Sequence, residues 1–479
     1  MSQAKKRKIE FGDYQTPIEL TDIVVRKLID LGIEPDVILE PTCGTGNFIL
    51  SAANHFKLID LIIGIEINPK YLNIAKNNCA IFDKHNIILK QDDFFSFDHS
   101  KLIDNSPAKI LVLGNFPWVT NTQQGVIHGN NLPEKTNFQK HQGLAAITGA
   151  SNFDISEWML IKTINHLQEH DGYLAMLCKT SVARKILNYI SKNNLKLTAC
   201  STYNIDTYKY FKANVQSCLL FCDFTSKLKQ HSCKVFPSLN SQEYREIGYF
   251  QNTLVKDIDT FNKVSALFTK QSSIKWRSGI KHDCSKVMEL YKKGNKFING
   301  FGEIIELEDT YMYPLLKGSN VANGKTQFTD RYVLVTQDSI GQSTDTIKQK
   351  APKTCNYLLN HSQYLDNRKS KIYRGKPRFS VFGVGNYAFM PWKIAICGLY
   401  KKLSFQLINQ IDNRPVFFDD TVYFLSFNCQ RIAELYFNIL NNQKTLDFYD
   451  SLIFWDEKRP IKASILNKLN LEKAKINLA

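Results

Sequence analysis

The stretch "DVILEPTCGTGNFILSAA", residues 36–53, decides the fold class. It begins with a short apolar run, continues through a turn that holds Gly44 and Gly46, and ends in helix-forming residues. This pattern predicts a buried strand, a tight turn and a helix. Because glycine has no side chain, the backbone of such a turn can pass close to a ligand. A Gly-x-Gly turn is common, so the flanking sequence has to decide what this one does.

Similar strand–helix units flank this stretch on both sides. A helix is predicted in "TPIELTDIVVRKLIDLG", with Thr16 as its N-cap and Pro17 at its first helical position. Further apolar strands are predicted in "LIDLIIGIEINP", "NIILKQDDFF", "AKILVLGNFPW", "GYLAMLCK" and "SCLLFCDF". Continuous apolar strands that alternate with helices predict an α/β fold with a doubly wound, mostly parallel sheet.

Polar side chains stand where the next two predicted strands end. In doubly wound sheets, ligands bind beyond the carboxyl ends of the strands. Glu66 ends the second strand, where a carboxylate can accept hydrogen bonds from both hydroxyls of a ribose. Asp93 and Phe94 follow the third strand and offer an acceptor and a ring to an adenine. A surface acid and a helix cap are the alternatives, but the order of these turns favours a nucleoside cofactor.

The fourth strand runs into Asn115-Phe116-Pro117-Trp118. An exocyclic aromatic amine is a poor nucleophile because its lone pair is delocalised, and two acceptors aimed at its N–H bonds would localise that pair. The Asn115 carboxamide oxygen and the Phe116 carbonyl are candidates for the two acceptors. Pro117 biases the backbone before it toward an extended shape, and Trp118 can stack on a base turned out of a duplex. An ordinary strand-end turn with a core tryptophan is the alternative.

Together, "DYQTP", "EPTCGTGNF", "IGIEINP", "QDDFF" and "GNFPW" resemble the motifs of gamma-class adenine-N6 DNA methyltransferases of type II restriction–modification systems. The resemblance implies a methyltransferase fold, S-adenosylmethionine as cofactor and double-stranded DNA as substrate. The family has a proline where Phe116 stands, but it uses the carbonyl of that residue, which phenylalanine also has. The implied catalytic residues are Asn115, Phe116, Pro117 and Trp118. The implied cofactor-binding residues are Thr16, Glu40, Pro41, Thr42, Cys43, Gly44, Gly46, Phe48, Glu66, Asp93, Phe94 and Pro117.

Length and charge predict a second domain, since 479 residues exceed one ordinary core. Residues 1–230 hold 25 Lys+Arg and 22 Asp+Glu, a net charge of +3. Residues 231–479 hold 36 Lys+Arg and 23 Asp+Glu, a net charge of +13. We therefore expect the S-adenosylmethionine-binding catalytic domain at 1–232 and a mixed α+β DNA target-recognition domain at 233–479. The alternative for the second half is a solvated basic surface. Its predicted DNA contacts are Trp276, Arg277, Arg368, Lys371, Arg374 and Arg378, with His282 on the same surface.

Other features of the sequence limit location and partners. No apolar run could span a bilayer, and no apolar segment follows Lys5–Lys8 to make a secretory signal, so we expect a cytoplasmic protein. Eleven scattered cysteines form no zinc pattern, so no metal is expected. Residues 119–153 are predicted to form a long loop that closes over DNA. We expect a monomer, with any cognate endonuclease on a separate chain. RNA or protein-glutamine methyltransferases and a degenerate DNA-binding protein are the alternatives.

Overall fold

The computed structural model of the protein describes residues 15–82, 86–96, 108–118, 154–294 and 296–478. The chain forms two compact units, residues 1–258 and 259–479. The basic start of the chain and the loop predicted at residues 119–153 lie outside the described residues. Within the described ranges, we find no helix that combines the length and the apolar character needed to cross a membrane.

The first unit alternates strands with helices, as the sequence predicts. Its strands are β1 (Val37–Glu40), β2 (Leu61–Glu66), β3 (Ile87–Gln91), β4 (Ile110–Asn115), β5 (Gly172–Lys179), β6 (Ala199–Ile205), β7 (Ser217–Asp223), β8 (Cys233–Phe236), β9 (Arg245–Phe250) and β10 (Thr253–Val255). Its described helices are α1 (Ile18–Asp30), α2 (Asn47–His55), α3 (Pro69–Cys79), α4 (Ile155–Leu167), α5 (Thr180–Lys192) and α6 (Thr207–Phe211).

These strands form one sheet in the order β3-β2-β1-β4-β5-β7-β6-β8-β9-β10. Strands β1 to β5 pair with one another in parallel, whereas β7 runs antiparallel to both β5 and β6. Glu40 therefore lies opposite Gly64, and Asn115 lies opposite Leu177. The carboxyl ends of β1, β2, β3 and β4 meet at one edge of the sheet, which confirms the doubly wound, mostly parallel arrangement.

Helices cover both faces of this sheet, and alternate residues of β4 show how. Leu111 and Leu113 pack into the cluster that holds Leu20 of α1 and Phe48 of α2. Val112 points the other way, into the cluster that holds residues of α4 and α5. Since both faces are buried, the strand has to be apolar throughout, which is the pattern seen in the sequence.

The boundary between the two units lies later than the sequence suggested. We predicted a break after residue 232, but β8 pairs parallel with β6, and β9 and β10 continue from β8 as antiparallel strands. These three strands lengthen the sheet of the first unit, so the compact units divide between 258 and 259. Pairing between distant strands, which no local pattern reveals, sets this boundary.

The second unit is a mixed α+β structure with two smaller sheets. One sheet, β11-β20-β17-β18, is antiparallel throughout, and the other has the order β14-β13-β12-β16-β15-β19, with only β15 and β19 parallel among its described pairs. The strands are β11 (Arg277–Ser278), β12 (Glu289–Lys293), β13 (Lys296–Ile298), β14 (Ile304–Ile305), β15 (Met312–Leu316), β16 (Arg331–Leu334), β17 (Trp392–Cys397), β18 (Gln406–Ile408), β19 (Phe417–Phe418) and β20 (Val422–Phe427). The described helices are α7 (Ile258–Val264), α8 (Ser285–Met288), α9 (Gly318–Ala322), α10 (Ile347–Lys350), α11 (Pro352–Asn360), α12 (Ser362–Asp366), α13 (Gln430–Leu440), α14 (Gln443–Leu452), α15 (Ala463–Leu466) and α16 (Leu471–Leu478).

Candidate active site

A cavity of about 650 Å³ opens at the carboxyl ends of β1 to β4. Cofactor and substrate sites of proteins commonly have volumes of ~300–1,000 Å³. All the residues predicted for catalysis and cofactor binding line this cavity except Gly46. Other lining residues were not predicted from the sequence, namely Gln15, Asn47, Ile67, Asn68, Pro69, Lys70, Tyr71, Asp92, Phe95, Ile155 and Met159. Several of them directly follow predicted site residues in the chain, and that adjacency was a usable signal.

The glycine turn after β1 is held in a shape that needs glycine. Gly44 and Gly46 have φ angles of +54° and +85°, which L side chains rarely adopt. A Cβ on Gly44 would lie 2.3 Å from Oε1 of Gln15, and that oxygen accepts a hydrogen bond from the Thr45 N–H at 3.0 Å. A Cβ on Gly46 would lie 3.1 Å from Cβ of Ala75, so Gly46 lets the turn approach α3. Gly46 therefore shapes the turn and does not line the cavity.

Glu66 links this turn to the end of β2. Its Oε2 accepts a hydrogen bond from the Gly44 N–H, and its Oε1 accepts one from the Asn68 N–H, both at 2.8 Å. A carboxylate oxygen can accept more than one hydrogen bond, so these two contacts are compatible with the predicted role toward the hydroxyls of a ribose. Glu66 thus stabilises the glycine turn, and its predicted role is to hold the ribose hydroxyls.

A second carboxyl group, that of Glu40, lies deeper in the cavity wall. Only 4% of Glu40 is exposed, and its Oε2 has no hydrogen-bond partner among the described residues. Burial and the nearby charge of Glu66 raise the pKa of Glu40 well above its usual range. A cation placed beside it would favour the ionised form.

The turn after β3 places two aromatic rings beside the cavity. Asp93 Oδ1 accepts a hydrogen bond from the Phe95 N–H at 2.9 Å and so closes this turn. Lys162 of α4 donates from Nζ to the carbonyls of Phe94 and Phe95, both at 3.0 Å. The ring of Phe94 meets that of Phe116 edge-on, with 5.2 Å between the centroids.

Asn115, the last residue of β4, has its carboxamide fixed in one orientation. Its Nδ2 donates to the hydroxyl of Thr16 at 3.3 Å, and its buried Oδ1 has no partner in the described part of the chain. The Thr42 hydroxyl donates to the backbone carbonyl of Asn115 at 3.3 Å. The prediction that Thr16 caps α1 is wrong, because Pro17 is the N-cap and the Thr16 side chain makes no cap bond. The hydroxyl of Thr16 holds Asn115 instead.

Phe116 occupies the position where the resembling family has proline, and its ring is a core residue. The side chain is 1% exposed and belongs to the cluster that contains Ile155 and Met159 of α4. Its ring also packs against Phe94. A buried aromatic ring of this kind contributes to stability on the scale of several kcal/mol, ~3–5 in truncation experiments.

Trp118 contacts the core of the first unit through its ring and a partly buried ion pair through its carbonyl. It is 7% exposed, and its ring lies 5.3 Å from that of Phe211 at an angle of 59°. Lys179, at the end of β5, lies 3.5 Å from the Trp118 carbonyl and 2.6 Å from Oδ2 of Asp154. Asp154 also caps α4 by accepting a hydrogen bond from the Ser156 N–H.

The predicted DNA contacts of the second unit are not equally accessible. Trp276 is 2% exposed and packs against Phe405, so its placement on the surface is wrong, as is that of His282, which is buried beside Glu289. Both side chains were drawn into the core by their apolar and ionic neighbours. Arg277 is exposed and stacks over the ring of Tyr387.

The remaining predicted contacts lie close together in the chain. The guanidinium of Arg368 donates to three backbone carbonyls, so this half-buried side chain is engaged within the unit. Arg378 is exposed, but it pairs with Asp366 at 2.7 Å. Lys371 and Arg374 are exposed and have no side-chain partner among the described residues.

Comparison with known proteins identifies the family. A family model of N-6 DNA methylases matches residues 1–186. The type II methyltransferase M.NspV of Nostoc sp. is 55% identical to this chain over 468 residues, which cover 98% of each protein. The chain belongs to the type II N6-adenine DNA methyltransferases. The predicted family of adenine-N6 type II methyltransferases is thereby confirmed, as is DNA adenine methylation within a restriction–modification system.

Two further proteins resemble this methyltransferase. The type II methyltransferase M.CvrRI of Paramecium bursaria Chlorella virus XZ-6E is 37% identical over 117 residues, or 24% of this chain and 27% of that one. The solved structure of the type IIL restriction–modification enzyme MmeI in complex with DNA has a TM-score of 0.55 and 13% sequence identity. The match covers 98% of this chain and 67% of MmeI, so residues of both units take part in the likeness of fold.

Proposed function

We propose that this methyltransferase belongs to the gamma class and methylates the N6 amine of an adenine turned out of double-stranded DNA. Asn115 is the proposed catalytic residue that contacts this amine. The observation that carries the proposal is the orientation of the Asn115 side chain. Its amide N–H is committed to Thr16, and its buried oxygen is left as an acceptor without a partner. A buried acceptor of this kind costs free energy unless something donates to it, and an amine in the cavity would do so.

The neighbouring backbone supplies the second acceptor. The carbonyl of Phe116 follows Asn115 directly, and Pro117 restricts the backbone beside it. Two acceptors on the same amine draw its nitrogen toward tetrahedral geometry, so its lone pair becomes available for the new N–C bond. The surplus proton then leaves to water, which makes a general base unnecessary. Trp118 lines the same cavity and offers a face to the turned-out base.

The cavity also fits the cofactor that the family uses. When bound, S-adenosylmethionine supplies a methyl group on a positively charged sulfur. Glu66 would hold the ribose hydroxyls, Asp93 and Phe94 would hold the adenine, and the turn at Gly44 would leave room for the backbone of the ligand. Glu40 supports this assignment, because its buried and unpartnered carboxyl oxygen suits a cationic ligand.

The second unit would hold the DNA, as the target-recognition domain does in the resembling family. Its exposed cations and the net charge of +13 on residues 259–479 support this role. A monomeric state, a cytoplasmic location and a separately encoded cognate endonuclease remain predictions. Size-exclusion chromatography with light scattering tests the first of them directly.

The test compares the wild-type protein with Asn115→Ala, using labelled cofactor and duplex DNA, RNA or a glutamine-bearing protein substrate. We expect N6-methyladenine in the DNA from the wild type and none from the variant. Calorimetry should show nearly unchanged cofactor binding, since Glu66 and Asp93 are intact. Near-normal turnover by Asn115→Ala would refute the assignment of Asn115, and methylation of RNA or protein alone would refute the DNA substrate.

A further inference from the structure

The basic segment of the second unit contains two kinds of cation. We name residues 369–377, "KSKIYRGKP", the basic loop. It includes the single helical turn Lys371–Tyr373, and Gly375 has a φ angle of +67°. An arginine flanks the loop at each end, and the structure gives these two arginines a different environment from that of the cations between them.

Arg368 closes one end of the basic loop. Its Nη1 donates to the carbonyl of Ser380 at 2.7 Å and to that of His282 at 3.2 Å, and its Nε donates to Leu365 at 2.8 Å. Its guanidinium stacks over the ring of Tyr373, 3.7 Å from the centroid. Because Ser380 follows the loop and Tyr373 lies inside it, Arg368 fixes both the base and the middle of the loop.

Arg378 closes the other end. It forms a two-point ion pair with Asp366 of α12, with Nη2–Oδ2 at 2.7 Å and Nε–Oδ1 at 3.2 Å. A planar guanidinium and a carboxylate joined at two points define an orientation as well as a distance. Both ends of the basic loop are therefore tied to the same unit.

The four cations inside the loop do not bind it to the rest of the unit. Lys369, Lys371, Arg374 and Lys376 are all exposed, and none has a hydrogen-bond or ion-pair partner among the described residues. The loop itself contains no aspartate or glutamate. The acid next to it in the chain, Asp366, is already paired with Arg378.

We propose that the basic loop is a preformed binding surface for the phosphate backbone of duplex DNA. The inference rests on the proposed function and specifies which residues of the second unit hold the substrate. A loop whose ends are already fixed loses little conformational freedom on binding, so more of the electrostatic attraction appears as affinity. Like-charged side chains held close together repel one another, and a polyanion relieves that repulsion.

The chemistry of these side chains favours phosphates over bases. Three of the four are lysines, which act as flexible point charges and lack the planar fork that reads guanine edges. Phosphate contacts position a protein on DNA without reading its sequence. The basic loop should therefore raise affinity for duplexes of any sequence and leave base selection to other residues.

The test measures binding of the full-length protein to a random-sequence duplex over a range of salt concentrations. One variant carries Lys369→Gln, Lys371→Gln, Arg374→Gln and Lys376→Gln. A matched control carries Lys348→Gln, Lys350→Gln, Lys401→Gln and Lys402→Gln, which removes the same charge from exposed lysines of the same unit. Each phosphate contact contributes about 0.9 to the slope of log affinity against log salt concentration.

We expect the loop variant to lower that slope by about two to four and to weaken binding at least ~10-fold. The control should keep most of the wild-type slope, and both variants should melt as the wild type does. An unchanged slope in the loop variant, or an equal loss in the control, would overturn the proposal. Formation of N6-methyladenine in DNA by the wild-type protein is measured separately. Its absence would contradict the proposed function, whereas an unchanged salt slope in the loop variant would contradict only the role of the basic loop.

Discussion

The amide nitrogen of Asn115 lies 3.3 Å from the hydroxyl of Thr16, although 98 residues separate the two in the chain. Thr16 lies just before α1 and Asn115 ends β4, so only the folded sheet brings them together. A hydroxyl can accept this N–H, and that bond decides which end of the carboxamide faces the cavity. The orientation of the proposed catalytic acceptor thus depends on a residue from another element.

Replacing Thr16 with valine tests this relationship. Loss of the hydroxyl leaves the Asn115 N–H unpaired and lets the carboxamide rotate, so we expect kcat to fall by ~10-fold, the effect of about 1.4 kcal/mol. Thr16→Ser keeps the hydroxyl and is the matched control, for which kcat should stay near the wild-type value. Steady-state rates at saturating cofactor provide the measurement. Equal rates for the two variants would mean that Thr16 does not orient Asn115.

Replacing Phe116 with proline distinguishes the contribution of its carbonyl from that of its ring. Proline restores the family residue and keeps the carbonyl, but it removes a ring that is buried against Phe94. We expect a loss of about 3 kcal/mol or more in the free energy of unfolding, because the void is only partly filled. Phe116→Leu should cost less because it fills more of the space. Urea unfolding curves check both values. A proline variant with wild-type stability and rate would show that only the carbonyl matters.

Replacing Glu66 with alanine should weaken cofactor binding by ~1–3 kcal/mol, the scale of lost hydrogen bonds to a charged acceptor. Part of the loss is indirect, because the Gly44 and Asn68 N–H groups also lose their acceptor and the glycine turn loosens. Calorimetry with S-adenosylmethionine measures the change, and Glu19→Ala, at an exposed acid paired with Lys209, is the control. Unchanged affinity in Glu66→Ala would place the ribose elsewhere.

The stability of the second unit should depend on pH through Glu289. Burial opposes ionisation of this carboxyl group, but hydrogen bonds from His282 and Lys317 outweigh burial and lower its pKa to about 2. Arg331 lies 2.8 Å away on its other oxygen. The unfolded chain, with a glutamate pKa near ~4.3, takes up the proton first as the pH falls. The stabilisation is therefore complete above about pH 4.3 and is lost between that value and about pH 2.

The Glu289→Gln variant measures this contribution. It should be less stable than the wild type at neutral pH, and the difference should shrink by roughly 3 kcal/mol as the pH falls toward 2. Glu306→Gln is the control, because Glu306 is exposed and its nearest cation, Lys353, lies 3.9 Å away. A difference that is constant over this pH range would contradict the lowered pKa of Glu289.

The sequence alone determined the architecture of the first unit and much of its cavity. Apolar strands that alternate with helices require a sheet covered on both faces. In such a sheet the residues that end successive parallel strands share one edge, so the strand-end positions of Glu66, Asp93 and Asn115 already imply that they lie together. Local sequence is sufficient here because helical connections between successive strands make those strands parallel.

The tertiary structure decided what depends on contacts between distant residues. Pairing of β8 with β6 moved the boundary of the first unit, and the Thr16 hydroxyl was taken by Asn115 rather than by its own helix. Trp276 is buried, and Arg368 is engaged by three carbonyls, although both belong to the basic second half and were predicted to contact DNA. Charge and aromatic content are properties of the chain, whereas exposure depends on which neighbours satisfy each side chain, and those neighbours are fixed only by folding.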